Sequence, residues 1–105
     1  MADELGDARD AARKASDPDR LLPGEPADST HLDDAEHWVG VYRELLAYKD
    51  RLLALTRTTL NELPEEQARR EVVETDRTLI AAERERFARR LGFWHGRFDE
   101  LKALE

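Results

Sequence analysis

Residues Asp33 to Leu63 carry apolar side chains around more of a helix than one neighbouring helix can bury. Set out at 100° steps, Trp38, Val39, Val41, Tyr42, Leu45, Leu46, Tyr48, Leu52, Leu53, Leu55, Leu60 and Leu63 span an arc of roughly 200°. A helix with a single partner needs much less. The arc resolves into two interleaved heptad tracks, one through Val39, Tyr42, Leu46, Leu53, Leu60 and Leu63, the other through Val41, Leu45, Tyr48, Leu52 and Leu55. Either track alone makes a coiled-coil seam. Together they predict two packing surfaces, one for the helix that follows in the chain and one for something else.

The rest of the chain supplies that following helix. Asn61-Glu-Leu-Pro64 stops the first helix: Asn tolerates the left-handed C-cap, and Pro64 suits the first turn of a new helix while excluding helical geometry at Leu63. A link this short makes the two helices antiparallel neighbours. The first helix is expected over about 31–60, the turn over 61–63 and the return helix over about 64–104. At its start Thr30 and Asp33 nearly form a capping box, and Asp33, Asp34 and Glu36 complement the helix dipole. The return helix carries the stripe Val72, Val73, Leu79, Ile80, Phe87, Leu91, Trp94, Phe98 and Leu101, with Glu65–Arg69, Glu66–Arg70 and Glu85–Arg89 as i,i+4 pairs on its flanks. Gly92 and Gly96 each cost about 1 kcal/mol in a helix interior, which asks for a segment approaching closely there, a bend or a frayed end.

Residues 1–30 have few large apolar side chains with which to offset the entropy of ordering. They read as an arm that is largely disordered or extended. A short helix from about Asp3 to Ala15, with Leu5, Ala8, Ala12 and Ala15 on one side, would be marginal alone. The prolines at 18, 23 and 26 push their predecessors out of helical geometry, so the stretch from Asp17 to Pro26 is expected to be extended or turning, and Leu21 and Leu22 form an apolar pair able to dock.

The 105 residues are 39% charged and only 7% aromatic, the profile of long amphipathic helices within at most one small domain. A net charge of −7 opposes binding to phosphate backbones and anionic membranes, so nucleic acid is disfavoured as a partner. With no cysteine there is no disulfide, thiol chemistry or Cys-based zinc site. Acidic residues follow Met1 where a leader would be basic, and no apolar run approaches the ~20 residues that span a bilayer. The expected location is cytoplasmic, with no membrane association.

Few residues combine into chemistry. A hairpin folded about 61–63 sets Lys49 opposite the stretch from Asp76 to Glu83, predicting a register-fixing ion pair of Lys49 with Asp76 or Glu83. A catalytic lysine needs a concave pocket that two helices do not provide. His31 and His95 meet at the open end of the hairpin, and Asp34 with His37 has an i,i+3 carboxylate–histidine spacing. Di-iron bundles need that pair twice, so no metal or cofactor is expected, and histidines as surface or cap residues explain the pattern. Arg86, Arg89, Arg90 and Arg97 alternate with Phe87, Phe93, Trp94 and Phe98, which makes Arg86, Arg90, Arg97 and Trp94 candidates for binding a phosphate-bearing or planar ligand. The same arginines serve equally to cover a hydrophobic seam and pair with the acidic arm of their own or a neighbouring chain, and the net charge favours this. Trp38 falls near them, within reach of an Arg-on-indole contact. An acidic tip of Glu62, Glu65 and Glu66 on a long helical finger resembles, in architecture, the secondary-channel factors of RNA polymerase; that resemblance implies action on the transcription machinery. Dipole complementarity accounts for Glu65 and Glu66 without a partner.

The fold expected is therefore all-α: a long, coiled-coil-like antiparallel hairpin pairing through Val41, Leu45, Tyr48, Leu52 and Leu55 into a two-fold four-helix bundle. The alternative covers for that face are the arm, with Leu21 and Leu22 as pegs, or a different protein. The function expected is not enzymatic: a dimeric scaffold or regulatory adaptor with a protein partner.

Overall fold

The computed structural model describes residues 2–17, 19–62 and 67–105. Three helices follow in order, α1 (Ala2–Ala15), α2 (Leu32–Glu62) and α3 (Gln67–Ala103), and there is no strand among the described residues. The two long helices pack side by side, and α1 lies against α3. None of the helices is long and apolar enough to cross a membrane.

The start of α2 is set by a hydroxyl one residue earlier than the expected Thr30. Ser29 Oγ accepts from the His31 N–H at 3.1 Å and donates to Asp34 at 2.6 Å. The His31 carbonyl then accepts the first helical bonds. At the far end α2 continues through Glu62, past the expected Leu60, and Arg70 Nη1 donates to the Leu60 carbonyl at 3.2 Å, serving an acceptor that the last turn leaves open. Leu63 and Pro64, on which the expected turn rests, lie outside the described residues, as do Glu65 and Glu66 of the flank pairs and the acidic tip. Glu62 is exposed.

Packing is uneven along the hairpin. Ala35, Val39, Tyr42, Phe87 and Trp94 form the buried cluster, all at the open end, with Leu22, Trp38, Leu45, Leu46, Leu91, Phe93, Phe98 and Leu101 around it. Rings join the helices there: Trp38 stacks on Trp94 with centroids 6.4 Å apart, and Tyr42 meets Phe87 at 5.8 Å. From Arg43 to Glu85 no described residue is buried. That stretch is a two-helix finger, and it gives the chain a radius of gyration of 17.1 Å, against the ~13 Å of a compact domain of this length.

The N-terminal arm has more structure than an extended tail. Its first half is the helix α1, the alternative that the sequence leaves open, with Ala15 buried. Residues 16–17 and 19–31 contain a succession of turns leading to α2. Asp17 opens one through its side chain, which accepts from the Asp19 N–H at 2.9 Å. The helix forms because α3 offers a surface for it, which a reading of residues 1–30 alone does not include.

Candidate functional site

The site that organises the molecule is built around Glu25. Leu22-Pro-Gly-Glu25 is a tight turn closed by a bond from the Glu25 N–H to the Leu22 carbonyl at 3.0 Å. Proline presets φ at its second position, and Gly24 at the third has φ of 79°, the left-handed conformation a type II turn requires. This turn aims the Glu25 side chain, which is fully buried, between the two long helices.

Both carboxylate oxygens are saturated. Oε1 accepts from the Leu22 N–H at 3.0 Å and from the Tyr42 hydroxyl of α2. Oε2 accepts from Arg90 Nε at 3.0 Å, from Arg90 Nη2 at 2.5 Å and from Trp94 Nε1 at 2.9 Å, all on α3. One side chain of the arm thus bonds to both long helices. Burial pushes the Glu25 carboxyl up, but the bonds from Tyr42, Leu22, Trp94 and Arg90 outweigh it and hold the group below its ordinary value. Burial, followed by the bond to Glu25 and that group's negative charge, drives the Tyr42 hydroxyl up to about 12. A carboxylate with every lone pair engaged has no capacity left to take a substrate proton. Its chemistry is that of a tether.

The arginine and aromatic residues singled out in the sequence converge on this point. Arg90 and Trp94 are committed to Glu25, and Arg97 Nη1 donates to the Ser29 carbonyl at 2.6 Å, tying down the end of the arm. Guanidinium groups stack on phenylalanine rings: Arg90 on Phe93 at 4.3 Å, Arg97 on Phe93 at 5.2 Å and Arg86 on Phe87 at 4.9 Å. The expected Arg-on-indole contact at Trp38 gives way to the stack of Trp38 on Trp94. Arg86 is different from its neighbours. It is buried, yet its Nε and Nη1 have no hydrogen-bond acceptor among the described residues, and burial together with the charge of Arg20 lowers its pKa.

Lys49 Nζ lies 3.2 Å from Glu83, partly buried, so the register pair forms with Glu83, while Asp76, two turns earlier, is exposed. Asp50 pairs with Arg84 at 2.8 Å beside it. The partner sits at the late end of the expected stretch. Among the described residues no three His, Asp or Glu side chains gather as metal ligands. Asp34 is engaged by Ser29, His37 packs edge-on against Trp38, and His95 lies 3.5 Å from Arg43.

The two apolar tracks of α2 separate by exposure. Val39 and Tyr42 are buried, and Leu46, Leu53 and Leu60 half-buried. On the second track Val41, Leu45 and Leu52 are half-buried, whereas Tyr48 is 48% and Leu55 61% exposed. Val41, Glu44, Leu45, Ala47, Tyr48 and Arg51 line a shallow open groove on this side. The arm packs on the open end through Leu22, leaving Tyr48 and Leu55 exposed, and Leu21 is itself exposed.

Glu25 is the residue that sequence reasoning missed. Its acidity made it one of many such residues in the arm, and what marks it is the Pro-Gly immediately before it, a turn signal that fixes where the next side chain points. Compared with models of known protein families, with curated proteins and with solved structures, the chain matches none.

Proposed function

We propose that this chain is a non-enzymatic interaction module in which the arm-locked end serves as a rigid base and the two-helix finger associates with a second copy, forming a four-helix bundle. The supporting observation is the finger's exposed apolar surface: Tyr48 and Leu55 on α2, with Val72 and Leu79 on α3 at 62% and 38% exposure. Two helices with no buried residue among those described in the finger have little to offset the entropy of ordering, and a second hairpin supplies the missing layer. The site around Glu25 supports the same reading, since its polar groups are spent on holding the chain together.

The test is the mass in solution, measured by light scattering at tens of micromolar. The wild type is expected at twice the chain mass of 12.1 kDa, and Leu55→Asp at the mass of one chain with its helical content retained. The exposure of Leu55 in the isolated chain makes it the informative site: a charge there spares the monomer but disrupts an apolar seam. A wild type that stays monomeric and fully helical removes this reading.

Arg86 favours a second reading, a site for a small anionic, phosphate-bearing ligand. Its Nε and Nη1 are buried with no acceptor among the described residues, and a guanidinium in that state gains from an oxyanion. Thermal shifts with inorganic phosphate and with nucleotides test it on the wild type and on Arg86→Met. Stabilisation of the wild type alone supports the site, and no shift in either protein ends it.

A further inference from the structure

We infer that the two copies meet through α2 in antiparallel orientation, with Glu44 of each chain paired to Arg51 of the other. This rests on the reading of the finger as a self-association surface and adds its register and direction. The exposed track Val41, Leu45, Tyr48, Leu52, Leu55 alternates steps of four and three, so it has two flanks. One flank faces α3 and is already occupied: Tyr42 is buried against Phe87 and bonded to Glu25, and Lys49 is held by Glu83 at 3.2 Å. The other flank carries Glu44 and Arg51, both exposed, and both line the same groove as Val41, Leu45 and Tyr48.

The free flank decides the direction. In an antiparallel pair of helices, equivalent flanks face each other, so Glu44 and Arg51 meet twice about a two-fold axis near Tyr48. Leu45 then lies against Tyr48 of the other chain, and Val41 against Leu52. In a parallel pair each flank faces the opposite one, which would bring Glu44 to a Lys49 that Glu83 already engages. Opposite charges seven residues apart on one exposed flank make the surface complementary to its own reverse, the condition for a closed dimer.

Charge reversal tests this by mixing. Glu44→Arg and Arg51→Glu each place like charges together at both contacts, and each is expected to weaken association about tenfold at low salt. An equimolar mixture of the two variants restores opposite charges at both contacts and is expected to recover wild-type affinity as a heterodimer. Sedimentation equilibrium reads all four samples, and circular dichroism confirms that they fold alike. If the single variants dimerise as tightly as the wild type, or if the mixture fails to recover, the antiparallel register is wrong while self-association stands. If the wild type itself is monomeric, the surface reading falls with it.

Discussion

Glu25 and Arg90, 65 positions apart in the chain, form an ion pair in which one carboxylate oxygen accepts from both Nε, at 3.0 Å, and Nη2, at 2.5 Å. The pair is buried, so its attraction has to offset the desolvation of both groups. The bonds that Tyr42, Trp94 and the Leu22 N–H contribute are what make that balance favourable.

Truncating one member leaves the others buried without a partner. Glu25→Ala strands the Arg90 guanidinium, the Trp94 N–H and the Tyr42 hydroxyl, and is expected to destabilise the chain by about 3–5 kcal/mol. Urea unfolding measures the loss. Trypsin under native conditions is expected to cut first after Arg20, because the arm comes free before the hairpin opens. A loss below about 1 kcal/mol would show that the carboxylate is not the tether described.

Stability is expected to fall at both ends of the pH range. The Glu25 carboxyl is held below its ordinary value of 4.5, so its contribution is complete above that value and is lost as pH falls through the lower folded one. Tyr42 has the opposite sign: raised from 10.0 to about 12, it contributes fully below pH 10 and loses that contribution as pH rises through about 12. The stability gap between wild type and Glu25→Gln is expected to narrow in acid, and the gap to Tyr42→Phe in alkali. Parallel curves across the whole range would contradict the assignment.

The glycines separate into two kinds. A Cβ at Gly92 or Gly96 meets nothing within 4 Å, so neither a close segment nor a clash accounts for them. Gly92→Ala and Gly96→Ala are each expected to raise stability by about 1 kcal/mol. Gly24 also has space around it, but its φ of 79° strains any other residue. Gly24→Ala is expected to lose about 1–2 kcal/mol, with the damage localised to the arm. Thermal denaturation of the three variants separates these outcomes.

Hydrogen exchange is expected to be polarised along the hairpin. Amides near Tyr42, Phe87 and Trp94 open only on global unfolding, whereas those of the finger exchange through local opening. Thr56, Thr58, Thr59, Thr75 and Thr78 all lie in the finger and donate to carbonyls of their own helix, bonds that weaken rather than reinforce it. Protection of the finger is expected to rise with protein concentration if it associates. Uniform protection at high dilution would show that two helices suffice.

By itself the sequence determined the two long helices and their order, but not α1, which it left as one option for the arm. The double apolar track and the acidic first turn of α2 are local or periodic signals for a long helix there, while the break at Leu63 and Pro64 lies outside the described residues. Lys49 in an apolar arc was legible for the same reason, although only the packing of α2 on α3 selected Glu83 over Asp76. Tertiary structure alone decided what the arm does. Whether an acidic residue is a solvated charge or a buried tether depends on donors brought from Tyr42, Arg90 and Trp94, and no periodicity relates them to residue 25. The same holds for the finger's exposed face: the pattern fixes which side chains share it, but only three-dimensional packing shows that the arm is spent at the other end.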